Sequence, residues 1–213
     1  MTTLGHSGQA RPRLSSGIET FEAHYAGQPG AGWEIGRPQP VFEELAGRGE
    51  FRGRVLDVGC GTGENALMTA ALRLDTTGVD AAPSGVATAV RKARERGLPA
   101  RFLVLDMRDL AALGERFDTV LDCGLFHCFA DEDRPVFVDN LRAVTAKGGR
   151  YFMMCFSDLE PAGRGPRRIS QAEIDACFAV GWRIDRLERT RMAVAFEPGT
   201  VAAWLAVMTR TPA

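Results

Sequence analysis

The chain has 213 residues, of which 45% are hydrophobic and 25% are charged, so it can bury one substantial hydrophobic core. Its formal net charge is −1, with acidic and basic residues interspersed, which excludes the strong positive field that a nucleic-acid-binding protein needs. We therefore expect no nucleic acid among its partners.

Neither end of the chain has the pattern of a membrane or export segment. The stretch from Met1 to Arg13 lacks the apolar run of a signal peptide, and the uncharged stretch from Pro198 to Thr209 is too short to span a bilayer. The cysteines form no C-x-x-C pair, so the sequence predicts neither a zinc site nor a disulfide framework. We expect a cytoplasmic protein without a bound metal, and the oligomeric state stays open.

The beginning of the chain divides into two parts. Residues 1–17 are rich in Gly, Ser, Pro and Arg, a composition that cannot repay the entropy of ordering, so we expect a flexible tail. Residues 18–47 contain two short helical patterns, at 18–26 and 41–47, with a Gly- and Pro-rich stretch between them. We interpret this second part as an N-terminal lid or cap.

From residue 54 onwards, predicted strands alternate with predicted helices. Short apolar runs predict strands at 54–58, 76–80, 101–105, 117–121 and 150–156, with helices at 64–72, 83–96 and 133–146 between them. Such alternation with short connections indicates right-handed βαβ units, and therefore a doubly wound α/β sheet with helices on both faces. We assign residues 54–156 to the core of the domain.

The last part of the chain, residues 157–213, changes rhythm. A helix is predicted at 170–179, and the partly alternating runs at 182–189 and 203–209 predict an antiparallel pair of strands at one edge of the sheet. One domain over residues 18–213 accommodates all of these elements.

A glycine-rich segment follows the first predicted strand: Asp57-Val58-Gly59-Cys60-Gly61-Thr62-Gly63. Glycines let the backbone approach a ligand closely. Three of them at alternate positions are more than a tight turn requires. A dinucleotide loop has the pattern G-x-G-x-x-G, whereas here the third glycine comes one position early and Glu64 stands in its place. Carboxylates at Asp57 and Glu64 would repel a pyrophosphate and suit the ammonium and sulfonium charges of S-adenosylmethionine.

On this motif the chain resembles the class I S-adenosylmethionine-dependent methyltransferases, in which an acidic residue precedes G-x-G-x-G. The resemblance covers roughly Trp33 to the C-terminus. It implies a seven-stranded sheet of order 3-2-1-4-5-7-6, with the last strand antiparallel. It also implies S-adenosylmethionine as the cofactor and methyl transfer as the reaction.

The resemblance also assigns cofactor contacts to the ends of four consecutive strands, each of which is closed by an aspartate. In open α/β sheets, ligands lie beyond this carboxyl edge. The implied contacts are Asp57, Gly59, Cys60, Gly61 and Gly63 for the methionine half, Asp80 and Ala81 for the ribose, Asp106 and Met107 for the adenine, and Leu121 and Asp122 for the methionine amino group. Each aspartate taken alone is equally well explained as a helix cap or a solvated strand end.

Two further segments, from Trp33 to Pro40 and from Gly124 to His127, resemble a bacterial subgroup. This subgroup is related to thiopurine methyltransferases and to enzymes that methylate small aromatic heterocycles and quinols. We expect a small aromatic or heteroaromatic acceptor methylated at a hydroxyl, with S- or N-methylation of a thiopurine-like heterocycle as the alternative. His127 is the candidate catalytic base, and a pocket-wall histidine is the alternative.

Aromatic side chains favour a flat apolar acceptor. Trp33 and Gly36 are expected in the lid, and Phe126 and Phe129 are expected in the wall of the acceptor pocket. Two interpretations of other kinds stay open: a module that binds the cofactor without transferring its methyl group, and an NAD(P)-dependent oxidoreductase of the same topology.

Overall fold

The computed structural model describes residues 17–161, 163 and 165–212. Within these residues the strands are β1 (Arg54–Val58), β2 (Asp75–Asp80), β3 (Ala100–Val104), β4 (Phe117–Cys123), β5 (Thr145–Phe156), β6 (Trp182–Ala193) and β7 (Thr200–Arg210). They form one seven-stranded sheet of order β3-β2-β1-β4-β5-β7-β6. The predicted tail, residues 1–17, lies outside the described residues except for Gly17.

The direction of the strands agrees with the predicted topology. β1 pairs in parallel with β2 and β4, β2 with β3, and β4 with β5, whereas β7 runs antiparallel to both of its neighbours, β5 and β6. The doubly wound sheet, its strand order and its antiparallel seventh strand are therefore confirmed.

The helices of the described chain follow the predicted alternation. They are α1 (Ile18–Tyr25), α2 (Pro40–Gly47), α3 (Glu64–Ala71), α4 (Pro83–Glu95), α5 (Arg134–Val144) and α6 (Gln171–Cys177). Two stretches of 3-10 helix, Met107–Leu113 and Phe126–Cys128, follow β3 and β4 and were not predicted.

Strand side chains alternate between two hydrophobic cores, one on each face of the sheet. On β1 and β4, Val55 and Leu121 belong to one core, and Leu56 and Val120 belong to the other. α2 packs on the first core through Phe42, and α5 and α6 pack on the second. Because both faces are covered, β1 and β4 direct apolar side chains towards both cores.

The parallel strands bring four aspartates to one edge of the sheet. Asp57 is the last but one residue of β1, Asp80 is the last residue of β2, and Asp122 is the last but one residue of β4. Asp106 follows shortly after the end of β3 and precedes the first 3-10 helix. The fold therefore positions the predicted cofactor site at the carboxyl edge of β1 to β4.

A capping box begins α6. The Ser170 hydroxyl oxygen accepts the Glu173 backbone N–H at 3.3 Å, and the Glu173 carboxylate accepts the Ser170 backbone N–H at 2.8 Å. The same carboxylate pairs with the Arg134 guanidinium at 3.0 Å, which links the start of α6 to the start of α5.

Replacing Ser170 by alanine removes one half of this box. We expect the free energy of unfolding to fall by about 1 kcal/mol, because one N-terminal N–H of α6 loses its acceptor. Urea denaturation measures this as a lower midpoint at unchanged slope. Gln171→Ala, at the exposed next position of α6, is the control and should leave the midpoint unchanged. Equal midpoints for Ser170→Ala and the wild type would contradict the role of the cap.

Candidate functional site

The glycine loop between β1 and α3 is shaped by its backbone and by Asp80. Gly59, Gly61 and Gly63 have positive φ values of 67°, 52° and 88°, a region that side chains disfavour. The Asp80 carboxylate accepts the Gly61 N–H at 2.8 Å and the Ala82 N–H at 2.8 Å. Asp80 therefore joins the glycine loop to the beginning of α4.

Cys60 and Ala81 lie beside this junction. The Cys60 N–H donates to the Val79 carbonyl at 2.9 Å, so the loop crosses towards the end of β2. Burial raises the pKa of the Cys60 thiol well above its usual value, so it stays protonated. Ala81 follows Asp80 directly and is half-buried.

Asp57 is buried with only part of its carboxylate satisfied. One oxygen, Oδ2, accepts the Ala66 N–H at 3.1 Å. The other, Oδ1, is buried and has no hydrogen-bond partner among the described residues. Burial, with smaller contributions from the nearby Asp122 and Asp80, raises the pKa of Asp57 to about 8. A cation beside Oδ1 would supply the missing partner, so the site fits a positively charged ligand.

Asp122 is also buried, but its carboxylate is used within the protein. Its Oδ1 accepts the Leu125 N–H at 2.8 Å, and its Oδ2 accepts the Tyr151 hydroxyl at 2.6 Å. Burial raises the pKa of Asp122 to about 6, and these donors oppose that shift.

The predicted adenine contacts lie at the end of β3. The half-buried Asp106 accepts the Arg108 N–H at 2.9 Å and is ion-paired with the Arg108 guanidinium. Met107 is buried in the core that α5 and α6 cover. Asp106 therefore lies just beyond the end of β3, and its carboxylate caps the 3-10 helix that follows.

Two predicted contributions to the site lie elsewhere. Glu64 pairs with Lys92 at 2.8 Å and with Arg96 at 2.8 Å, so its charge is already neutralised by α4, and the prediction that it supplies charge to the ligand is wrong. β4 continues to Cys123, so Leu121 lies within the strand and its side chain is fully buried in the core beneath α2.

The predicted aromatic wall of the acceptor pocket is part of the core. Phe126 packs on Phe178 with ring centroids 5.6 Å apart, and Phe129 stacks on Phe137 at 4.4 Å. Both phenylalanines are fully buried. Their aromatic character serves packing between the 3-10 turn, α5 and α6, so their prediction as pocket residues is not supported.

His127 is buried beneath the carboxyl edge. Its Nδ1 accepts the Phe156 backbone N–H at 2.9 Å, and its ring meets the Phe156 ring edge-on at 5.0 Å. An N–H group can only donate, so Nδ1 is unprotonated and the ring proton lies on Nε2. Burial, with help from Arg134 and Arg168, lowers the pKa of His127 to about 3. This geometry does not support the predicted base role, which stays a prediction.

The N-terminal segment packs over the glycine loop. Trp33 is 40% exposed, and its indole N–H donates to the Tyr25 hydroxyl at 3.0 Å. A Cβ atom at Gly61 would lie 2.6 Å from that same hydroxyl. Gly36 has a φ of +69° and donates its N–H to the Glu34 carboxylate at 3.1 Å. Trp33 and Gly36 therefore lie in a segment that contacts the site.

Sequence reasoning missed Tyr25 and Glu22 as part of this region. Glu22 accepts the Ser84 N–H at 3.0 Å and so fastens α1 to the start of α4. Neither residue belongs to a motif, and their partners are distant in sequence. No local pattern in the chain could have identified them.

The described residues contain no cluster of three or more His, Cys, Asp or Glu side chains that could hold a metal ion. In the same part of the chain, no helix has the length and apolar character needed to cross a membrane.

Known proteins similar to this chain agree with the class that the fold and the loop define. A methyltransferase domain model matches residues 55–149. A 2-heptyl-1-hydroxyquinolin-4(1H)-one methyltransferase of Mycobacteroides abscessus is 31% identical, over 82% of this chain and 81% of that protein. A ubiquinone biosynthesis O-methyltransferase of Cereibacter sphaeroides is 33% identical over 62% of this chain, which spans about half (51%) of that protein.

Solved structures are similar as well. One, from work on the conversion of a disulfide bond into a thioacetal group during echinomycin biosynthesis, is 33% identical, with a TM-score of 0.83 and coverage of 91% of both chains. The magnesium protoporphyrin IX methyltransferase of Synechocystis PCC 6803, with bound S-adenosylmethionine, shares the fold at 22% identity and a TM-score of 0.63, over 80% of this chain and 76% of its own.

This chain belongs to the class I S-adenosylmethionine-dependent methyltransferases. Its cofactor is S-adenosylmethionine, and it is an enzyme rather than a binding module or a nicotinamide-dependent oxidoreductase.

The raised pKa of Asp57 predicts how stability depends on pH. In the unfolded chain this carboxyl titrates near pH 4, whereas in the folded protein it holds its proton up to about pH 8. The stability from this group is therefore fully present below about pH 4 and is lost as the pH rises through about 8.

Asp57→Asn keeps an oxygen for the Ala66 N–H but cannot ionise. Without cofactor at about pH 9, we expect the variant to exceed the wild type in free energy of unfolding by on the order of a few kcal/mol, and to depend less on pH. Urea denaturation at about pH 5 and about pH 9 measures both effects. Asp175→Asn, on the exposed side of α6, is the control. Parallel pH dependences for Asp57→Asn and the wild type would show that Asp57 is not buried as an acid.

Proposed function

We propose that this enzyme transfers the methyl group of S-adenosylmethionine to a hydroxyl of a small aromatic or heteroaromatic molecule. The observation that carries the proposal is the likeness, over four-fifths of both chains, to a methyltransferase named for a hydroxyquinolinone. The likeness to O-methyltransferases of ubiquinone biosynthesis supports oxygen as the acceptor atom.

The cofactor is proposed to lie along the carboxyl edge of β1 to β4. The methionine half is assigned to the glycine loop and Asp57, because the unpartnered Oδ1 of Asp57 suits a cationic group. The ribose is assigned to Asp80 with Ala81, and the adenine to Asp106 with Met107. When bound, S-adenosylmethionine supplies an electrophilic methyl group on a sulfonium sulfur.

The lid is proposed to hold the acceptor. Trp33, predicted in the lid, has a partly exposed ring, unlike Phe126 and Phe129, and it is anchored through Tyr25 to the glycine loop. An aromatic ring in this position can stack on a flat acceptor and exclude water from the transfer. Alignment of the acceptor hydroxyl is then the main contribution of the protein.

A sulfur acceptor is the second candidate. It is favoured by the likeness, at 33% identity over 91% of both chains, to the structure associated with conversion of a disulfide into a thioacetal. A probable thiol methyltransferase of Arabidopsis thaliana is also similar, at 27% identity over 67% of this chain.

A panel of acceptors separates oxygen from sulfur. With methyl-labelled S-adenosylmethionine, we expect hydroxyquinolinones and small phenols to be methylated with kcat/KM at least about tenfold above matched thiols and amines. Mass spectrometry of the products locates the methyl group. Matched ring compounds without the hydroxyl are the control. Faster methylation of the thiols would replace the oxygen proposal by the sulfur one.

His127→Asn tests the role of the buried histidine. The amide oxygen can still accept the Phe156 N–H, so we expect kcat at neutral pH to stay within about tenfold of the wild type and not to recover as the pH rises. The pH profile of kcat is the measurement, and an unchanged affinity for S-adenosylhomocysteine is the control. A loss of about a hundredfold that recovers at high pH would instead establish His127 as the base.

A further inference from the structure

A buried pair, Asp122 and Tyr151, lies behind the turn that follows β4. The Tyr151 hydroxyl donates to Asp122 Oδ2 at 2.6 Å, and both side chains are fully buried. On its other side, Asp122 Oδ1 accepts the backbone N–H of Leu125 at 2.8 Å and that of Phe126 at 3.4 Å. The carboxylate therefore connects β5 to the first residues of the turn.

The turn reaches the glycine loop through Leu125. A Cβ atom at Gly59 would lie 3.2 Å from the Leu125 Cβ and 3.2 Å from its Cδ1, so this side chain packs directly on the loop. Leu125 is itself held by its N–H bond to Asp122. A displacement of the turn would move Leu125 against the loop that the cofactor site requires.

We propose that Asp122 and Tyr151 form a positioning pair for the cofactor site: Asp122 holds the turn after β4 in place, and the Tyr151 hydroxyl keeps Asp122 oriented. Neither residue needs to contact the cofactor. This inference rests on the proposed placement of the cofactor at the glycine loop, and it reassigns Asp122, which was expected to bind the methionine amino group.

The donors around Asp122 support an ionised carboxylate. Its oxygens accept three hydrogen bonds, and a carboxylate accepts more strongly than a neutral acid. Burial raises the pKa of Asp122 to about 6, and the bond from Tyr151 opposes that shift. The phenol stays protonated, because burial and Asp122 raise the pKa of Tyr151 well above its usual value. The other titratable groups that interact with Asp122 are Asp57, Cys123, Cys128 and Cys155.

Tyr151→Phe removes only the hydroxyl and keeps the ring, which packs on Phe178 and Trp182 with centroids 5.7 and 5.8 Å apart. Calorimetry should show that S-adenosylhomocysteine binds this variant about tenfold more weakly than the wild type at about pH 6.5. Because the lost bond raises the pKa of Asp122, the difference should shrink to within about threefold at about pH 9, where Asp122 is ionised without help. Measuring the same ratio in an Asp57→Asn background removes the titration of Asp57 from the comparison, because that group interacts with Asp122.

Two further variants make the test specific. Thr145→Val also removes a buried β5 hydroxyl, which donates to the Leu141 carbonyl at 2.7 Å, but at the first residue of the strand and away from Asp122. It should lower the melting temperature and leave the affinity unchanged. Asp122→Asn cannot ionise, so its affinity should be lower than that of the wild type both near neutral pH and at high pH, without recovery.

The outcomes separate this inference from the proposed cofactor site. Wild-type protein that does not bind S-adenosylhomocysteine would overturn the placement of the cofactor. Normal binding by Tyr151→Phe, or a loss of affinity that is equal at both pH values, would overturn the positioning pair and leave the cofactor site standing.

Discussion

Asp57, Asp80 and Asp122 are buried at one edge of the sheet, where each carboxylate loses its hydration and must find donors within the protein. Asp80 finds them in the backbone N–H groups of Gly61 and Ala82. Asp122 finds them in its turn and in Tyr151. These hydrogen bonds hold two of the loops at the carboxyl edge in place. The need of the buried carboxylates for donors therefore also determines the shape of these loops.

Asp57 differs from the other two carboxylates because one of its oxygens has no donor among the described residues. An unsatisfied buried oxygen is unfavourable by itself, and it becomes favourable when a cation lies beside it. S-Adenosylmethionine carries such charges, which is why its methionine half is proposed to lie beside Asp57.

The position of an aromatic residue in the sequence does not show whether its side chain is buried in the core or packs near the glycine loop. Phe126 and Phe129 follow β4 in an aromatic run, yet both side chains turn into the core against α5 and α6. Tyr25 belongs to no recognisable motif, yet it packs against Gly61 and accepts a hydrogen bond from Trp33. Glu64 adjoins the glycine loop in sequence, yet Lys92 and Arg96 take up its charge. Proximity along the chain therefore did not predict proximity to the ligand.

The sequence by itself determined the alternation of strands and helices, the glycine loop and the aspartates at the strand ends, because these depend on local periodicity and on the parallel direction of successive strands. The tertiary structure alone decided which side chains pack on the glycine loop and which are buried in the cores. That choice depends on contacts between segments far apart in the chain, such as Glu22 with Ser84 and Asp122 with Tyr151. The tautomer of His127 is another property that the tertiary structure decided, because the Phe156 N–H, distant in sequence, donates to its Nδ1. No local pattern encodes such partners, because each pair exists only after the sheet has brought its strands and loops together.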